Sequence, residues 1–339
     1  MGWLDAAKGV GIFLVVAGHA LPLDGLAAKV IWAFHMPLFF FLSGVTAKAW
    51  RPGAGPAVAR GLERLVVPYL FFSAIAIFLW LCSTEKLGVA AAWTTALGQM
   101  AYGVAGPHQR MPYDVPLWFF TCLVSVRILF YVITALFASA PVRLAATAAA
   151  ALIACLVIFP RFYSFAWNFD VAPVALVFFM GGYVAKEAIH NLRGAARVPI
   201  VAGALIIFVL CIAFNERVDM NGRILGNPLL FCLAAFAGIL LTVEVAKRCA
   251  SIRLLTTLGH ASIVIFPVHL LFALLPYRAV PLMTWYAFRI THSELLAAVL
   301  TAIVEIALCL PIYAALLRWA PSLIGQEKKS QSLQVNMSV

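Results

Sequence analysis

Ten long apolar runs dominate the sequence, at residues 6–23, 30–49, 65–81, 115–138, 144–159, 171–188, 199–214, 228–246, 254–275 and 295–317. Hydrocarbon offers no partner to a backbone N–H or C=O, so a run of about 20 apolar residues crosses a bilayer as a helix. Continuous runs exclude a transmembrane β-barrel, which needs short alternating segments. Composition agrees: 64% of the 339 residues are hydrophobic and 11% are charged, against roughly 25% charged in soluble domains. The expected fold is therefore all-α, a polytopic integral membrane helix bundle of about ten transmembrane helices.

Basic residues set the orientation. With the N-terminus inside, fifteen of the 24 Lys and Arg fall at cytoplasmic ends and loops, eight fall outside, and Arg127 lies within a span. The expectation is N-in and C-in. The net charge of +11 is assigned to helix ends that meet membrane lipid or an anionic ligand; no basic stripe interleaved with exposed aromatics points to nucleic acid. The seven cysteines show neither a pairing pattern nor metal-ligand spacing, so no metal is expected. Residues 1–325 read as a single transmembrane domain and 326–339 as a polar cytoplasmic tail without fixed structure. Residues 87–114 are half apolar and read as an outer loop with room for an interfacial or re-entrant helix. The run at 9–23 has the length of a signal-peptide core, but Asp5 and the single preceding Lys8 make a poor basic leader, so it is read as a retained helix.

Ionisable side chains inside spans are expensive and mark function by default. His19 lies about 7 Å below the outer boundary at 1.5 Å per residue, His35 sits at matching depth on the returning helix, and His269 lies at about 9 Å. Three imidazoles in one layer make a site. Lys8 and His19 are eleven positions apart, which brings them to within about 20° of one helix face and about 16 Å apart along the axis. The competing readings are a snorkelling lysine and a core histidine. Asp5 either caps the first helix, the favoured reading, or holds Lys8. Arg127 and Glu305 lie about 18 Å and 15 Å along parallel helices and are expected to form a structural ion pair. Ser262 and His269 share a face, with His260 opposite, so His269 is the better candidate. Phe39, Phe40 and Phe41 read as ordinary lipid-facing or packing surface.

The motif DAAKGVGIFLVVAGH at residues 5–19, followed by FHMPLFFFLSG at 34–44, resembles the membrane acyltransferase-3 family, closest to its short fucose-4-O-acetylase-like members. RGLERLVVPYL at 60–70, PLWFF at 116–120 and LGHASIVIFPVHLL at 258–271 extend the resemblance along nearly the whole chain. It implies about ten helices in a bacterial inner membrane and transfer of an acyl group, usually acetyl from acetyl-CoA, to a hydroxyl of a cell-surface or exported glycan. The family pairs a basic residue, usually arginine, with a histidine after ten intervening residues; Lys8 and His19 fill those places. Lysine keeps the charge and loses the bidentate fork.

Resemblance and residue reading meet in one mechanism. Acyl-CoA phosphates are expected at Lys8, Lys48, Arg60 and Arg64, with the pantetheine arm running up the bundle past Trp118, which matches the fourth-helix motif but also suits an interfacial belt. His19 is the expected general base, a role its ordinary titration range suits. His35 has three candidate roles: binding the acceptor, orienting His19 or polarising the thioester carbonyl. Ser43 in the second motif, with Asp5, Arg127, Ser262, His269 and Glu305, completes the candidate set. The acceptor is a glycan or a lipid-linked oligosaccharide, and the oligomeric state is left open. The competing function is a transporter or flippase for a lipid-linked or small polar substrate, which also needs buried charges, although no internal repeat supports it.

Overall fold

The computed structural model describes residues 2–103, 115–161, 164–191, 197–274 and 279–326, and apart from one isolated β-bridge between Asp219 and Ile224 these are helical or irregular. Ten helical segments among them are long and apolar enough to cross a membrane, as the apolar runs predict. The first span is α1 (Gly2–Ala20). The second is broken into α2 (Leu26–Trp32) and α3 (His35–Val45). There follow α4 (Gly55–Ser83), α5 (Ala90–Tyr102), α6 (Trp118–Leu136), α7 (Ala140–Ile153), α8 (Ala172–Asn191), α9 (Arg197–Phe214), α10 (Pro228–Arg248), α11 (Arg253–Val268), α12 (Ala279–Thr291) and α13 (Glu294–Trp319).

Two departures from the hydropathy reading, at α4 and α12, have physical reasons, while the helix for which residues 87–114 left room is present. Helix α4 begins ten residues before its apolar run, because the polar turn around Arg60 and Arg64 is helical although it is not apolar. Part of the 87–114 loop is α5, with Gly103 in the left-handed region at φ 71° closing it; residues 104–114 lie outside the described residues, as do 327–339 of the expected tail. Helix α12 was not anticipated. Its thirteen residues are too short to span, and Thr284, Arg289 and Thr291 interrupt the apolar pattern.

The central packing is close because glycines allow it. A Cβ on Gly9 of α1 would collide with the Leu255 backbone, and one on Gly259 of α11 would collide with the Asp5 backbone. Small residues at such crossings let two helices pack backbone to backbone within a membrane. Gly44 of α3 and Gly182 of α8 make the same kind of crossing with Phe179 and Phe41. By contrast, α9 faces largely outward, with Ile206, Val209 and Phe214 more than half exposed. The site therefore lies in the inner layer built by α1, α3, α6, α11 and α13.

Candidate active site

Helix α1 carries the two ends of the site. At its C-terminal end His19 is half-buried and makes no hydrogen bond to the described protein, and it lines a cavity of about 470 Å³. The cavity walls include Leu21, Leu270, Trp285 and Phe288, with Glu294 and Glu305 from α13 as its acids. The His19 ring lies 5.3 Å from that of His269 and 5.5 Å from that of Trp32. Trp32 in turn lies 5.6 Å from His35. The expected three-histidine layer exists, with His269 beside His19 and His35 one tryptophan away.

The break between α2 and α3 explains His35. Its Nδ1 lies 2.9 Å from the Ile31 carbonyl, and His269 Nδ1 lies 3.0 Å from the Ile265 carbonyl. A carbonyl only accepts, so each Nδ1 carries the proton and each neutral ring keeps its lone pair at Nε2. His269 Nε2 is buried with no hydrogen-bond partner. Pro267 in the preceding turn ends α11 at Val268, and the chain continues as a tighter 3-10 turn, His269–Leu274. Ser262, seven residues and about 10 Å back along α11, donates its hydroxyl to the Gly259 carbonyl and lines the opposite cavity.

At the other end of α1, Lys8 lines a cavity of about 310 Å³ together with Ser43, Arg64, Arg127, His260 and Ser262. Asp5 lies 3.9 Å from Lys8 Nζ and 3.4 Å from His260 Nε2. It sits inside the first turn of a helix that starts at Gly2, so the capping reading is replaced by a bridging one. A second cavity of about 640 Å³ shares Arg64 and Arg127 as a wall and adds Lys48, Arg51 and Lys186. These five cations make this the most basic concavity described. Arg60 is exposed and lines neither cavity.

The expected pair of Arg127 and Glu305 does not form. Arg127 Nη1 donates to the Gly61 carbonyl at 3.1 Å, and its Nε is buried without a partner. Glu305, 2% exposed, faces the His19 cavity instead. Matching depth along two helices was a necessary condition for pairing, and the rotation of each helix decided against it. The buried ion pairs that do form are Asp170 with Arg223, and Glu244 with Arg197 and Lys247.

Between the two ends stands a layer of phenylalanines. Phe39, Phe119 and Phe266 line the Lys8 cavity, and their ring centroids are 5.2–6.3 Å apart. Phe266 is also 6.4 Å from His269. Phe39, Phe40 and Phe41 are at most 8% exposed, which selects packing over lipid contact among the two expected roles. Trp118 is 5% exposed and packs against Phe40 at 6.2 Å, beside the phenylalanines that line the Lys8 cavity rather than among that cavity's lining residues.

A basic cavity at one end of a helix and an unpaired histidine in a second cavity at the other are what a donor and an acceptor on opposite sides would need. A family profile described as Acyltransferase domain matches residues 1–314. The chain belongs to the acyltransferase-3 family. It is a membrane acyltransferase, which decides against the transporter reading. No curated protein and no solved structure matches the sequence. In this acyltransferase, sequence reasoning missed Arg51, Lys186 and the phenylalanine layer. Arg51 was visible as a charge at a helix end; Lys186 lies four turns into α8, and nothing in the local pattern separates its direction from that of Glu187.

Proposed function

We propose that this acyltransferase moves an acetyl group from acetyl-CoA, bound at the Lys8 end, to a hydroxyl of a cell-surface or exported glycan entering at the His19 end. The transmembrane unit spanning 1–325 sits in a bacterial inner membrane with its Lys8 end in the cytosol, surrounded by membrane lipid. The observation that carries this reading is the polarity of α1: one helix presents a cation to a basic cavity and, about 16 Å further along, an imidazole without a hydrogen bond to a cavity free of cations among its described lining residues.

The donor phosphates fit Lys48, Arg51, Arg64, Arg127 and Lys186, where charge-assisted hydrogen bonds are strong. The pantetheine arm runs through the Lys8 cavity and its thioester passes the phenylalanine layer. His19 takes the proton of the acceptor hydroxyl, the hydroxyl oxygen bonds to the thioester carbonyl carbon, and the C–S bond breaks to release the CoA thiolate. The His19 imidazolium then returns its proton to that sulfur, which balances the cycle without a metal. His269, with its lone pair beside His19, orients the base, and Glu305 accepts a hydrogen bond from the acceptor. His35 packs against Trp32, the tryptophan beside His19, where it is a candidate to bind the acceptor, orient His19 or polarise the thioester carbonyl.

The test is transfer of label from radioactive acetyl-CoA to oligosaccharide by the purified protein in detergent. Wild type should form acetylated product and His19→Ala should not, while both melt at the same temperature. Equal rates in the two proteins would refute the assignment of His19.

A further inference from the structure

We propose that the chain's C-terminal strap, Gly325 and Gln326, is a donor-binding element: Gln326 reads the amides of the pantetheine arm, and Gly325 seats Arg64 against the phosphates. The inference rests on the donor reading above. After α13 the chain cannot continue as a helix, because Pro321 has no N–H to give and Ala320 leaves the helical region at φ −141°, ψ 54°. It turns back as a short 3-10 segment, Pro321–Ile324, in which Gln326 N–H donates to the Pro321 carbonyl at 2.9 Å. Ile324 is fully buried and anchors the strap beneath α4.

Gly325 is fixed on two counts. Its φ of 68° lies in the left-handed region, and a Cβ there would stand 2.6 Å from the Arg64 carbonyl oxygen. Only glycine lets the strap lie against the backbone of Arg64, which with Arg127 is common to both basic cavities. Ile324, Gly325 and Gln326 thereby become part of the wall of the Lys8 cavity. That cavity combines an aromatic wall of Phe39, Phe119 and Phe266 with a polar one of Ser43, Ser262 and Gln326. Pantetheine is a thin chain with two secondary amides set between short apolar segments. A primary amide both donates and accepts, so Gln326 can pair with either amide from a single position. The strap lies beyond residue 314, where the family match ends, so the donor site of this chain includes a segment outside the domain the profile describes.

The experiment measures binding of CoA and of 3′,5′-ADP, which lacks the arm, to the full-length protein by calorimetry, together with acetyl transfer. Gln326→Ala should weaken CoA and raise the KM for acetyl-CoA about fivefold, the worth of one hydrogen bond, leaving kcat and the affinity for 3′,5′-ADP as in wild type. Gly325→Ala, which pushes on Arg64, should weaken both ligands. Wild-type affinity for CoA in Gln326→Ala, or an equal loss of 3′,5′-ADP, would overturn the strap's role while leaving the donor site standing. A folded wild type that binds neither CoA nor 3′,5′-ADP would refute the donor reading itself. Melting curves of both variants separate loss of binding from loss of fold.

Discussion

The two ends of α1 differ in almost every respect that matters to chemistry. At the Lys8 end the cavities are walled by Lys48, Arg51, Arg64, Arg127 and Lys186. At the His19 end the acidic side chains are Glu294 and Glu305, and the bases are imidazoles. Under the proposed function the first end holds a polyanion in place and the second accepts protons and hydroxyl hydrogen bonds. One helix thus divides binding from bond-making, with the phenylalanine layer between them. Substitutions at the two ends should therefore separate kinetically: one set in the donor KM, the other in kcat or the acceptor KM.

The largest effect should come from the base. Removing a general base costs typically 10²–10⁴-fold in rate, so His19→Ala should lose kcat by about that much with the donor KM unchanged. If the donor KM rises alongside, the two ends are not independent and the division fails. Next comes the donor anchor: Lys8→Ala removes a charge-assisted contact worth about 1.5–3 kcal/mol, which predicts a donor KM higher by roughly ten- to a hundredfold and an unchanged acceptor KM.

Glu305 tests the His19 end from its other wall. Glu305→Gln keeps the shape but replaces the carboxyl that meets the acceptor, so the acceptor KM should rise by about three- to tenfold, within the range of a single hydrogen bond. An effect on the donor KM instead would place Glu305 with Arg127 after all, in the pairing the structure does not form.

How much of this was legible in the sequence follows from what each inference needed. The ten spans required only continuous apolarity, and α1 alone placed Lys8 and His19 on one face, because a single helix fixes both depth and direction. Arg127 and Glu305 failed for the converse reason: two helices at matching depth say nothing of how each is rotated, and Glu305 turned to the other cavity. Ser262 and His269 keep the shared face that a seven-residue spacing gives them, but about 10 Å of axial rise puts Ser262 in the Lys8 cavity and His269 beside His19. The phenylalanine layer draws on α3, α6 and α11 at once, and no local pattern carries such a convergence. Helix α12 stayed hidden because it is short and mixed in polarity, while its Trp285 and Phe288 line the His19 cavity.

The smallest expected effect bears on Lys8, where the resemblance leads to an expectation of arginine. Lys8 lies 3.9 Å from Asp5, a distance at which a point charge is held without a directed hydrogen bond. Arginine at this position would present a planar fork to a carbonyl of the pantetheine arm and would still reach Asp5. Lys8→Arg should lower the donor KM by about two- to fivefold, a fraction of the worth of one charged hydrogen bond, with kcat and the acceptor KM unmoved. A rise in donor KM would mean that the compact ammonium is required, either because Gly9 and Gly259 bring α1 and α11 too close for a guanidinium or because His260, 3.4 Å from Asp5, already occupies the space. Steady-state kinetics with acetyl-CoA varied at saturating acceptor distinguishes these outcomes.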